Sequence, residues 1–230
     1  MCGRIAQYSG MDDFFSELAP RFRRIGAYDH EPIKRYNVAP STRVQLIRAV
    51  DDELRAEPVK WGWSPFWAKG KRPDPINARV ETVATGKFFK QLWPEGRALT
   101  PANGWYEWVA DPADPKRKQP YFIVLKDRRP MLLAALAQVH PGLEPNDNDG
   151  FVIITAASDS GMVDIHDRRP LVLTPEHARE WIEPGLSPAR AEEIARECCR
   201  PTDDFEWYPV GKAVGNVRNQ GEELISPIEL

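Results

Sequence analysis

The chain has 230 residues, 42% hydrophobic and 28% charged, enough to bury a real core. Its 31 Lys plus Arg against 34 Asp plus Glu leave a formal net charge of −3, which excludes a uniformly basic nucleic-acid coat but not a local basic groove. The longest apolar runs, Met131 to Ala137 and Phe151 to Ala157, fall well short of the ~20 residues of a membrane span. Three cysteines, two of them adjacent, make no disulfide framework. No signal peptide follows Met1-Cys2-Gly3-Arg4, so a soluble cytoplasmic protein is expected.

In chain order, Met11–Leu18 alternates acids with Phe14, Phe15 and Leu18 before Pro20, which predicts a short amphipathic helix. Val44–Val50 and Leu54–Trp61 read as strands joined by an acidic turn. Thr82–Leu92 reads as a helix. An aromatic strand follows the tight turn Asn103-Gly104. Tyr121–Leu125, Met131–Val139 and Phe151–Ala157 are apolar and β-rich. Asp111–Lys118 and Pro141–Gly150, rich in Pro, Asp or Asn, read as surface loops between them. Thr174-Pro175-Glu176 supplies an N-cap, an N1 proline and a first-turn acid for a helix to Ile182, and Pro188–Cys198 reads as another. Helices and strands do not alternate regularly, which argues against a doubly wound sheet. The expected fold is α+β: one domain over 1–230, mainly antiparallel strands with peripheral helices.

Several residues could carry chemistry. Removal of Met1 ahead of a small second residue would leave Cys2 as the N-terminus, with a thiol and an α-amine on adjacent carbons. The amine, with an ordinary pKa of ~7.7–8.0, can condense with an aldehyde, and the thiol can then close a five-membered thiazolidine. The same residue could also hydrolyse an amide with its own amine as base. Asn77, in Pro73-Asp74-Pro75-Ile76-Asn77-Ala78-Arg79-Val80-Glu81-Thr82, offers donors and an acceptor, and Arg79 could grip a phosphate. Glu107 alternates with Tyr106 and Trp108, so it faces away from both. In a pocket its pKa would rise and suit acid–base work. His166 stands before Asp167-Arg168-Arg169-Pro170, where it could shuttle a proton. Arg169 could add a phosphate contact or a surface charge. His30, His140 and His177 have no such neighbours and read as surface residues. Cys198-Cys199 lacks metal-ligand spacing and reads as packing. Tyr36–Pro40 and Trp61–Lys69 fit a groove in which aromatics stack on bases and cations meet phosphates.

Taken together, these pieces resemble the SRAP (SOS response-associated peptidase) family of abasic-site-processing proteins. The resemblance is carried by Met1-Cys2-Gly3-Arg4, Tyr36-Asn37-Val38-Ala39-Pro40, Trp61-Gly62-Trp63 with Pro65 and Trp67-Ala68, Asn77-Ala78-Arg79 with Glu81-Thr82, Asn103-Gly104-Trp105-Tyr106-Glu107-Trp108, Ile165-His166-Asp167-Arg168 with Pro170, and Asn216-Val217-Arg218-Asn219. They stand in the family's order. Asn103 stands where Asp is common, Trp105 where Phe is, and Arg169 where an apolar residue is.

The resemblance implies the SRAP fold, with its sheet core barrel-like. It also implies single-stranded DNA containing an abasic site as partner, with no cofactor, no metal and no membrane. Cys2 would form a thiazolidine cross-link, Asn77 would orient that cysteine or the sugar, Glu107 would act as acid–base, and His166 would help open the sugar and assist reversal. Arg4, Arg79 and Arg168 would hold DNA, with Pro40 and Trp67 packing on bases. Other readings are a thiol autopeptidase that removes Met1 and a non-catalytic reader of modified bases. A monomer is the expected state.

Overall fold

The structure, a computed structural model, describes residues 2–18, 24–51, 53–140 and 146–230. The described elements are β1 (Ile5–Gln7), α1 (Met11–Leu18), β2 (Arg24–Ile25), β3 (Arg35–Val38), β4 (Arg43–Val50), β5 (Glu53–Lys60), β6 (Asn77–Arg79), β7 (Arg97–Ala102), β8 (Gly104–Asp111), β9 (Asp114–Leu125), β10 (Met131–Gln138), β11 (Gly150–Ala157), β12 (Arg168–Pro170), β13 (Val172–Leu173), α2 (Pro175–Trp181), α3 (Pro188–Glu197) and β14 (Phe205–Pro209), with short 3-10 turns between them.

They form two sheets. The first runs β14-β9-β8-β1-β3; the second runs β12-β11-β10-β7-β4-β5-β2, with β13 beside β10 and β6 beside β11. Only the β2–β5 and β6–β11 ladders are parallel; the other described ladders are antiparallel. The mainly antiparallel α+β architecture is therefore as the sequence predicts. The sheets stay open at their edges, so the architecture is barrel-like only in a loose sense.

Side-chain alternation explains how both sheets are covered. On β10, Leu132, Ala134 and Leu136 join one cluster with Phe14, Trp181 and Ile194 of the three helices. Met131, Leu133, Ala135 and Ala137 join a second cluster with Trp105, Ile123 and Phe205 of the first sheet. A strand buried on both faces needs an unbroken apolar run, and Met131–Ala137 is one. A third cluster, with Tyr106, Phe122, Val210 and Leu224, lies on the outer face of the first sheet beneath the C-terminal segment. Gly104 begins β8 where a Cβ would collide with the Phe122 ring and with Ile123 O.

Three expectations need correction. Thr82–Leu92 is a run of turns: its bonds skip between four-residue spacing (Gly86 N to Thr82 O, Lys90 N to Gly86 O) and three-residue spacing (Phe89 N to Gly86 O, Leu92 N to Phe89 O) and never form a continuous ladder. Asp111–Lys118 is the tip of the β8–β9 hairpin, and residues 114–118 are strand despite their polarity, because both partners are exposed there. Arg169 is neither a surface charge nor free for a phosphate. It is buried, donating to Arg200 O at 2.8 Å and to Cys199 Sγ at 3.6 Å, with its guanidinium near the Phe205 ring. Of the other expected loop, residues 141–145 lie outside the described residues, and 146–149 include a turn.

Candidate active site

The site forms where the chain enters the first sheet. Strand β1 lies between β8 and β3, with Ile5 opposite both Trp105 and Val38. The Tyr106 N–H donates to Arg4 O at 2.9 Å and carries the pairing one step toward the N-terminus. Asn103 holds the other end, accepting from the N–H groups of Tyr8 and Ser9 and donating to Ser9 Oγ at 2.7 Å. Its amide supplies the acceptor that an Asp would supply there, plus a donor.

Cys2 is thereby carried into the apolar cluster between the sheets and is fully buried. Glu107 shares the face of Trp105, two residues earlier, so alternation aims it into the same space. It is 4% exposed. Burial raises its pKa from the ordinary 4.5 to about 7, and the charge of Asp167 pushes the same way. Burial, reinforced by Glu107, pushes the Cys2 thiol well above its ordinary range. A charged Glu107 therefore favours the protonated form of the thiol.

Strand β11 organises the rest. On one edge it pairs with β6, with Ile153 opposite Asn77; on the other it pairs with β12, with Ala157 opposite Arg168. From the first edge, Asn77 Nδ2 donates to Cys2 O at 2.9 Å, while its Oδ1 is buried with no donor among the described residues. Beyond the second edge, His166 Nε2 lies 4.0 Å from Glu107 Oε2. The Arg168 N–H donates to His166 Nδ1 at 3.0 Å, while Nε2 is the atom facing Glu107. Burial lowers the His166 pKa and favours the neutral ring. Once protonated, Nδ1 has Asp167 Oδ1 at 2.8 Å to receive its hydrogen.

Cys2, Asn77, Glu107 and His166, far apart in sequence, are thus brought together. The residues expected to hold DNA are placed differently. Arg168 is buried and gives both terminal nitrogens to Glu81, at 2.6 and 3.0 Å, with a further bond to Thr155 O. Arg4 is half-buried with its guanidinium near the Trp108 ring. Arg79 is exposed and Pro40 half-buried. Trp67 is 43% exposed and Phe66 94%, on a segment tied down at its base by Asp74, which accepts from Lys60 and Ser64. Phe88 meets Trp67 edge-on, and Lys87 sits near the same ring. The sequence reading did not single out Asp167 or Glu81 as side-chain partners. Neighbouring His166 was the only signal for the first, and nothing in the spacing reveals the second.

The model of the family described as SOS response associated peptidase (SRAP) matches residues 1–217. The chain belongs to the SRAP family. It is 49% identical over 228 residues to the abasic site processing protein YedK of Escherichia coli, covering 99% of this chain and all of that one. It is 33% identical to the abasic site processing protein YoqW of Bacillus subtilis, covering 98% and 99% of the two chains. Among solved structures, a phage-related protein of Bordetella bronchiseptica superposes with a TM-score of 0.77 at 41% identity, over 91% of this chain and 94% of that one.

Among the described residues, no helix is long and apolar enough to cross a membrane, and no cluster of three or more His, Cys, Asp or Glu could hold a metal ion.

Proposed function

We propose that the protein processes abasic sites in single-stranded DNA by covalent capture through Cys2 after loss of Met1. The observation that carries this reading is the convergence on one N-terminal cysteine of a buried carboxyl titrating near neutrality, an amide donor and a histidine. The names of the relatives at 49% and 33% identity point to the same substrate.

The chemistry follows from the residues. The neutral α-amine of Cys2 adds to the aldehyde of the ring-opened deoxyribose. Protonated Glu107 delivers its proton to the carbinolamine hydroxyl, which leaves as water. The Cys2 thiol then adds to the iminium carbon, and its proton returns to Glu107. One C–N and one C–S bond form, one water departs, and Glu107 ends as it began. A carboxyl with a pKa near 7 suits both transfers. Asn77 holds the Cys2 carbonyl, and so orients the amine and thiol. His166 serves the opening of the sugar hemiacetal and the reverse reaction. Ring closure by sulfur protects the strand, because an open Schiff base invites β-elimination.

For the DNA itself, exposed Arg79 is the readiest phosphate contact, and Trp67 and Pro40 are surfaces for neighbouring bases. Arg168 can reach a phosphate once its pair with Glu81 opens.

The test is a denaturing gel of processed protein with a single-stranded oligonucleotide carrying one abasic site. A heat-resistant shifted band is expected for the wild type and lost in Cys2→Ala. Absence of the band with a free N-terminal Cys2 would overturn covalent capture and leave base reading or self-cleavage. Autopeptidase action on the Met1–Cys2 bond would use the same Cys2, Glu107 and His166. It predicts that Glu107→Gln keeps Met1 attached in cells whose methionine aminopeptidase is blocked.

A further inference from the structure

The Asn216–Asn219 motif and Asn37 have no part in the chemistry above, yet they meet. Asn37 is 1% exposed, on the edge strand β3. Its Nδ2 lies within 3.2 Å of the carbonyls of Val214, Asn216 and Asn219. Gln220 completes the junction: its Oε1 accepts from Asn37 N–H and its Nε2 donates to Asn37 O, closing the open backbone edge of the strand. The remaining polar atom, Asn37 Oδ1, accepts from Arg4 Nη1 at 2.7 Å, and Val214 O accepts from the same nitrogen at 2.8 Å.

Arg4 is thus gripped by one prong. Among the described residues, its Nη2 donates to no protein group. The guanidinium lies 5.5 Å from the Trp108 ring centroid, two residues along the chain from Cys2 and next to the strand that carries Glu107. A guanidinium is planar, so fixing Nη1 fixes where Nη2 points, and an ammonium cannot be aimed in this way.

We propose that Asn37 is a positioning residue that, with the Val214 carbonyl, holds Arg4 by Nη1 so that Nη2 is aimed at a phosphate beside the captured abasic site. The proposal rests on the DNA-binding reading above. Asn37 touches no DNA; it acts through Arg4, lowering the rotamer entropy lost when the phosphate is bound.

A double-mutant cycle on non-covalent binding tests it, with a single-stranded oligonucleotide carrying a reduced, uncondensable abasic site as probe. Arg4→Ala and Asn37→Ala are each expected to weaken binding about tenfold and to flatten the log Kd against log salt plot by about 0.7, one phosphate contact. In the Arg4→Ala background, Asn37→Ala should add nothing. Gln220→Ala removes two bonds to the Asn37 backbone and leaves the Asn37 side chain on Arg4, so it should lower the melting temperature while leaving the salt slope near wild type. Additive losses, or an unchanged slope in Asn37→Ala, overturn the proposal while leaving DNA capture standing. If Asn37→Ala does not fold, Arg4→Lys decides: binding close to Arg4→Ala supports aiming, and binding equal to wild type overturns it. Wild-type protein that neither binds the probe nor cross-links to an intact abasic site overturns this inference and the proposed function together.

Discussion

Glu107 is a buried carboxyl whose pKa stands near 7, against an ordinary 4.5. Between those two values the folded chain binds more protons than the unfolded one. Its contribution to stability is therefore complete below about pH 4.5 and is lost as the pH rises through 7. Glu107→Gln removes this dependence. The variant is expected to gain on the wild type between pH 5 and pH 8, by about 3 kcal/mol if the whole shift is expressed. Urea denaturation at the two pH values measures it, and parallel pH profiles would refute the buried, neutral carboxyl. The same titration bears on catalysis. Cross-linking should fall above about pH 7 as the acid ionises, and below it as the Cys2 amine protonates, giving a bell whose alkaline limb Glu107→Gln abolishes. Initial rates across pH 5 to 9 check this, and an alkaline limb that survives the substitution counts against Glu107 as the acid. At this scale the sequence named the residues that the fold brings together, Cys2, Asn77, Glu107 and His166, and said nothing of their surroundings. Alternation turned Glu107 away from Tyr106 and Trp108. Only the second sheet closing over that face determines that the carboxyl is buried.

At the scale of elements, polarity misled where a partner strand or a buried cation overruled it. The tip of the β8–β9 hairpin looked like a loop because Pro112, Asp114 and Pro115 are turn formers, yet cross-strand pairing continues to Asp111. Thr82–Leu92 had helical composition, but its fastening is external. Arg97, buried on β7, donates to the carbonyls of Trp93 and Pro94 at the end of this run and to those of Trp181 and Leu186 beside α2. One guanidinium thus satisfies chain ends that would otherwise lie buried and unpaired. Arg97→Met keeps the bulk and removes the donors. It is expected to cost about 2–4 kcal/mol in urea denaturation. Its partners belong to the helical side of the second sheet, away from Cys2, so folded variant should still cross-link at the wild-type rate. A variant as stable as wild type would show that those carbonyls are satisfied in another way. Helices with full signals were legible in outline: α1 spans the predicted residues, and Thr174 caps α2 by accepting from the His177 N–H.

For the whole molecule, the informative quantity is how charge is spent. Net charge is −3, so the molecule as a whole does not attract DNA, and affinity rests on locally placed cations and stacking surfaces. Most arginines named above already have partners: Arg97 and Arg169 hold carbonyls, and Arg168 holds Glu81. Around Trp67, Lys69 is engaged with Asp147 O and Asn148 Oδ1. The free supply near the site is therefore small: Arg79, the unused prong of Arg4, and Arg168 once Glu81 lets go. Three phosphates neutralised on a single strand correspond to a log Kd against log salt slope of about 2 in magnitude. Glu81→Gln weakens the competitor for Arg168. It should tighten binding severalfold and leave the slope unchanged, because the phosphate contact is already counted. Filter binding from 50 to 300 mM salt measures both. A slope near zero would remove the arginines from recognition. A slope of 5 or more would bring in the basic residues around the exposed aromatics, Lys71, Arg72 and Lys87, and extend the DNA path across Trp67 and Phe66. A slope near 2 keeps recognition local to the lesion, as the proposed capture of a single damaged nucleotide requires.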